Sequence, residues 1–177
     1  LGAHIGPCAP ADWWSLGMGM LSEDRTGEGL ATELSIADNT TLTRLEGLGP
    51  GFFVSPSRQR AAARRWIDRL EIKASGPAQR VGSLSGGNQQ KVAVARLLYH
   101  DVDVLVLDEP TRGIDVGSKA QLYNLIDEQV SAGKSVLLVS SYFTELLALC
   151  DRIAVMTRGR LGAPLPAREW TEHSLLL

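Results

Sequence analysis

The sequence predicts an α/β fold, a mostly parallel sheet joined by crossover helices, and three observations lead there. Residues 88–157 alternate between helix-like and strand-like segments, the pattern of strands linked through helices. The strand segments 104–107 (VLVL) and 136–139 (VLLV) are continuously apolar, as expected where helices cover both sheet faces. A chain of 177 residues with 44% hydrophobic side chains is about one domain, with enough apolar material for a sizeable core.

The elements follow in order. Residues 1–14 mix Gly, Pro, Ala and the pair Trp13–Trp14 without period and read as loop or a broken edge element. Residues 16–21 (LGMGML) read as a strand, followed by the polar loop 22–29. A short helix is expected over 35–45, with Ser35 as N-cap and Ile36, Asn39, Thr40 and Thr43 on one face. After the breaker-rich stretch 47–56, residues 57–70 resume a helical pattern with Trp66, Ile67 and Leu70 together and five arginines on its surface. Helix 88–98, strand 103–107, helix 116–131, strand 135–140, helix 143–150 and strand 153–157 complete the alternation, and 157–160 reads as a hairpin turn.

Composition narrows the function classes. With 21% charged residues and a formal net charge of -2, bulk electrostatics gives no support to a polyanion partner, and the arginine-rich helix reads as a solvated or partner-facing surface. Cys8 and Cys150 stand alone, without the spacing of a zinc ribbon or a disulfide framework, which fits a reducing compartment. The apolar runs fall far short of the roughly 18 residues of a membrane span, and the first 20 residues carry no Lys or Arg. His4, His100 and His173 share no ligand spacing and read as surface residues.

Two segments carry chemistry. Leu84, Ser85, Gly86, Gly87 and Asn88 open a helix, and a helix start with free N–H groups, two glycines that admit a close approach and a serine hydroxyl is suited to an anion. The same residues also suit an ordinary N-cap with a flexible lead-in. Residues 104–109 (VLVLDE) form a strand ending in adjacent acids, where parallel sheets bind ligands. Asp108 there could hold Mg²⁺ and Glu109 could deprotonate an attacking water; the plain alternative is a strand ending in solvated acids.

Taken together, LSGGNQQKVAVARLL, VLVLDEPTRGIDVGSKAQLYNLI, VLLVSS and LCDRIAVMTRGRL resemble an ATP-binding cassette (ABC) ATPase, and more narrowly the second cassette of sugar or nucleoside importers. The resemblance implies a P-loop NTPase (RecA-like) sheet with a helical subdomain at about 35–95, and ATP with Mg²⁺ as ligands. It implies that 84–88 is the signature that meets ATP held by the opposite cassette, that Asp108 and Glu109 are the Walker B acid and the catalytic base, and that 113–115, with Asp115, is the D-loop. Glu23 falls where most cassettes carry the Q-loop glutamine, within reach of Mg²⁺ or water. Ser141 falls where most carry the switch histidine and cannot take a proton as imidazole does. The resemblance implies that an SSE-like form is usual in the family's second cassette, and here Tyr142 replaces its customary glutamate.

One motif of that family is absent. No GxxxxGK[ST] loop precedes the Q-loop position, and Gly133-Lys134-Ser135 follows a helix and leads into a strand, so Gly133 reads as a helix terminator. With Leu1 in place of Met and the family's motif order, this implies an incomplete cassette domain, the C-terminal part of a second cassette, inactive by itself. The expected partners are a second cassette and transmembrane permease subunits, with no nucleic acid, and the expected place is the cytoplasmic face of the cell membrane. Two rival expectations are a truncated, non-catalytic cassette that lends its signature to a partner, and a soluble ABC ATPase acting on DNA or ribosomes. The retained Glu109 weighs against the first, and the lack of room for long insertions weighs against the second.

Overall fold

The computed structural model describes residues 9–51 and 53–171, so the expectations for His4, Cys8 and His173 lie outside the described residues. The chain divides into two compact units, 1–137 and 138–177.

In the first unit, strand β1 (Met18–Leu21) pairs in parallel with β2 (Val104–Asp108), Met18 opposite Val104 and Leu21 opposite Leu107. Strand β3 (Ser135–Val139) completes the order β1-β2-β3. Helix α4 (Gly86–His100) lies so close to β1 that a Cβ on Gly19 would sit 2.8 Å from Leu97. Leu97 and Leu98 of α4, Leu105 and Leu107 of β2, and Leu122, Leu125 and Ile126 of α5 (Val116–Ser131) make the core between helices and sheet. The outer strand departs from expectation. Leu137 and Val139 are 58% and 48% exposed, so β3 is not covered on both faces by the described elements.

Helix α1 (Pro10–Ser15) stands where a loop or edge element was expected. Pro10 occupies the first helical position and the Asp12 carboxylate accepts the Ala9 N–H at 3.0 Å, start signals that outweigh the aperiodic composition. Helix α2 (Ile36–Thr41) begins at Ser35 as expected, with reciprocal bonds between Ser35 and Asp38. It stops before residue 45, after two β-branched threonines whose hydroxyls turn back to the carbonyls of Ile36 and Ala37. Helix α3 (Pro56–Arg69) buries Ala63 and Ile67, leaves all five arginines exposed and packs on α2. Residues 77–82 run against 32–37, with Ile36 donating to Gln79 and Val81 to Leu34, and so deliver the chain to the start of α4. His100 is a correction: it is partly buried, its ring 4.6 Å from that of Trp14 and its Nδ1 3.1 Å from the Thr43 carbonyl. Gly133, at φ +89°, donates its N–H to Val130 and ends α5 as its sequence context predicted.

In the second unit, α6 (Phe143–Leu149) precedes two short antiparallel pairs. Strand β4 (Arg152–Ile153) pairs with β7 (Leu165–Pro166), and β5 (Met156–Thr157) with β6 (Arg160–Leu161). The single strand expected over 153–157 is thus two, because its ends take different partners. The expected hairpin turn is present, with Arg158 and Gly159 both at positive φ, the geometry that matches strand twist. Trp170 donates its indole N–H to the Ile153 carbonyl at 3.1 Å and ties the segment down.

Candidate functional site

Residues 84–88, expected to be the signature, lead into and open α4. Ser85 is the N-cap residue, yet its hydroxyl does not cap the helix; it accepts the Asn88 side-chain amide at 2.8 Å, while Asn88 Oδ1 accepts the Lys73 N–H at 2.8 Å. Leu84 is buried, and its N–H donates to the Val81 carbonyl at 3.0 Å. A Cβ on Gly87 would lie 3.7 Å from Ile114 and 3.8 Å from the Asp115 carboxylate, which places the signature turn against the loop before α5. Asp115 caps α5, accepting the Ser118 N–H at 3.0 Å and hydroxyl at 2.9 Å, and these bonds hold its carboxyl below the usual carboxylate range. The four motif residues read separately from the sequence, Gly86, Gly87, Ile114 and Asp115, thus share one surface.

Asp108 ends β2 and is partly exposed. Glu109 follows with φ +45°, a left-handed backbone that a residue with a Cβ adopts at a cost of about 1–2 kcal/mol. Its carbonyl accepts the Arg112 N–H at 3.1 Å, closing a turn over the buried Pro110 and Thr111. Such strain at the residue after a strand's last acid is characteristic of functional positions.

Three residues that sequence reasoning passed over connect these parts. The Arg112 guanidinium forms an ion pair with Glu23. Arg25 Nη1 donates to Gln90 Oε1 at 3.3 Å and to the Arg112 carbonyl at 2.9 Å. Gln90, 3% exposed, donates its amide to the Pro110 carbonyl at 2.8 Å. The available signal was a glutamine two residues before the apolar run 92–95 of α4, where a buried amide must find partners.

Ser141 belongs to the second unit. The residue before it, Ser140, donates its hydroxyl to Glu145 and accepts the Tyr142 N–H at 3.0 Å, so a closed turn carries Ser141. Glu145 is 3% exposed in the first turn of α6.

Among the described residues no three His, Cys, Asp or Glu side chains are grouped to hold a metal. Mg²⁺ uses one or two carboxylates together with phosphate oxygens and water, so Asp108 suits it, while Glu23 already shares one oxygen with Arg112. A cleft of about 180 Å³ lies beside the signature, lined by Gly87, Gln90, Lys91, Ile114, Ser118 and Gln121 among others; Asp108 and Glu109 do not line it. In it Lys91 Nζ donates to Gln121 at 2.7 Å, and burial lowers its ammonium's pKa although Glu71 acts the other way. No helix among the described residues is long and apolar enough to cross a membrane.

Comparison with known proteins shows the family and the fold. The ABC transporter family model matches residues 7–112, more than half of the chain. The chain is 44% identical over 162 residues to the ribose import ATP-binding protein RbsA 1 of Streptomyces avermitilis, covering 92% of this chain and 31% of that protein. It is 45% identical over 168 residues to RbsA 3 of Rubrobacter xylanophilus (94% and 33% covered), and 41% identical over 160 residues to the L-arabinose transport protein AraG of Geobacillus stearothermophilus (90% and 31%). It therefore spans about a third of the length of these relatives. Among solved structures, a dimeric ATP-binding cassette in a post-hydrolysis state with ADP and phosphate superimposes with a TM-score of 0.71 at 23% identity, covering 85% of this chain and 63% of that one. The chain belongs to the ATP-binding cassette family of ABC transporters. Its fold is the mixed α/β cassette fold with a parallel sheet.

Proposed function

We propose that this chain is the C-terminal part of the second cassette of an ATP-binding subunit that powers import of a sugar or a similar small molecule. In this reading ATP lies between this cassette and a second one and is hydrolysed to ADP and phosphate, and permease subunits anchor the pair at the inner face of the membrane. The observation that carries the reading is the shared surface of Gly87, Ile114 and Asp115, where signature and D-loop stand together. The sugar class is supported by the names of the relatives, which are ribose and arabinose import proteins.

In its parts, the proposal gives the start of α4, with Leu84, Ser85, Gly86, Gly87 and Asn88, the role of meeting the phosphates of ATP bound by the partner cassette, through backbone N–H groups and the positive end of the helix. Asp115 lines the same edge. Asp108 would hold Mg²⁺, directly or through water; when bound, Mg²⁺ neutralises charge on phosphate oxygens. Glu109 takes the proton of the attacking water, Glu23 reaches Mg²⁺ or its water, and Ser141 approaches the terminal phosphate as a neutral hydroxyl. Residues 35–95 form the helical subdomain facing the permease, within a single incomplete cassette domain.

A second reading is that the chain acts as a module that lends its signature to a partner. One experiment serves both. Added to a cassette with an intact P-loop, the chain raises that cassette's ATP affinity, and Ser85→Arg, which fills the anion position, removes the effect. Equal affinity with and without the chain overturns the assignment of 84–88.

A further inference from the structure

We propose that Arg25 is the positioning residue that sets the spacing between the signature turn at the start of α4 and the loop leading into α5. The inference deepens the reading of that surface as the face presented to a partner's nucleotide, and rests on it.

Arg25 is held at its own end. It opens the short turn Arg25–Gly29, whose backbone is fixed by Asp24: Oδ1 accepts the Gly27 N–H at 2.9 Å and the Asp24 carbonyl accepts the Gly29 N–H at 2.9 Å. From there the guanidinium crosses to two segments distant in sequence. The single nitrogen Nη1 serves Gln90 on α4 and the Arg112 carbonyl on the loop, one hydrogen for each. The other terminal nitrogen lies between two motif glycines. A Cβ on Gly86 would come within 3.1 Å of Nη2, and one on Gly113 within 3.7 Å. Gly113 also has φ +70°, so a larger residue there is strained by its backbone, while its Cβ would make ordinary contact with the arginine. The planar, charged fork is thus a spacer whose two faces are the two motifs.

The electrostatics argue that this placement is purposeful. A cation beside a helix start opposes the helix dipole. Here it is offset by the Arg112 carbonyl and the Gln90 side chain, and Glu23 neutralises the neighbouring Arg112. Gln90 in turn grips the Pro110 carbonyl, so the brace extends to the turn after Asp108 and Glu109. A change in distance between α4 and that turn must break or re-form these bonds together.

The test uses the chain itself in two measurements. In the first, ATP affinity of a cassette with an intact P-loop is measured with the chain, its Arg25→Gln variant and its Arg25→Lys variant, each checked for an unchanged melting transition. Arg25→Gln should lose about tenfold of the enhancement, the scale of one charge-assisted hydrogen bond, and Arg25→Lys should recover part of it, since an ammonium reaches the Arg112 carbonyl but does not fill the space between the glycines. Full enhancement by a folded Arg25→Gln chain overturns the proposal. The second measurement needs no partner: amide hydrogen exchange of the isolated chain should quicken about tenfold in both 84–91 and 110–115 in Arg25→Gln, and less in Arg25→Lys. Unchanged exchange in both segments overturns the role of Arg25 even if the wild-type chain fails to raise a partner's affinity, a failure that would count against the proposed function alone.

Discussion

The side-chain amide of Gln90 donates to the main-chain carbonyl of Pro110 at 2.8 Å, tying the N-terminal part of α4 to the turn that follows the two strand-end acids. Both groups are buried, so the bond has no water to replace it.

Replacing Gln90 with Leu keeps the side chain's bulk but leaves the Pro110 carbonyl and the Arg25 guanidinium without that partner. The expected loss is about 1–3 kcal/mol of folding stability, the penalty for an unsatisfied buried polar group, read as a lower urea midpoint at unchanged slope.

Asn39, fully buried in α2, accepts the Ala31 N–H at 2.9 Å and donates to the carbonyls of Ala31 and Ser35 at 2.9 and 3.0 Å. Asn39→Asp sets a carboxylate against two carbonyl oxygens. It should destabilise by more than about 2 kcal/mol at neutral pH, and lowering the pH should recover part of that as the carboxyl takes a proton; thermal melts at several pH values measure both effects.

Lys134 Nζ lies 2.5 Å from Asp101 Oδ1, and this bond, with the lysine's charge, holds the Asp101 carboxyl below its usual value. A depressed carboxyl contributes stability that is present above the unfolded value of about 3.9 and lost as pH falls through the folded one. Asp101 is largely exposed, so the contribution is under about 1 kcal/mol. Asp101→Asn suits the left-handed backbone at this position, φ +68°. Wild type and variant should differ slightly in melting temperature at pH 7 and converge as the pH falls below the depressed folded value of Asp101.

In a cassette completed with a P-loop, Glu109→Gln should retain nucleotide binding and lose about 10²–10⁴-fold in phosphate release, the usual cost of removing a general base. Ser141→Ala should cost far less. The unextended chain should release no phosphate, and turnover by it would show that the catalytic machinery is misplaced.

The fold was legible where local signals and burial agreed. Residues 116–131 were read to the residue because Asp115 caps them at one end and Gly133 stops them at the other. Residues 153–157 were misread as one strand because their pairing partners, β6 and β7, are set by later turns that carry no signal in the segment itself. The site was legible as motifs and not as connections. Gly86, Asp108 and Glu109 stand out by type and spacing, whereas Arg25 matters through a bond spanning 65 positions, which no local pattern announces.

The half-covered sheet has a practical consequence. Leu137 and Met20 present oily side chains to solvent at 58% and 52% exposure, on a chain whose formal net charge is only -2. So little like-charge repulsion leaves sticky surfaces free to meet. Concentrated stocks of the isolated chain should therefore self-associate, and a hydrophilic replacement at Leu137 should lengthen their shelf life without touching any of the motif residues.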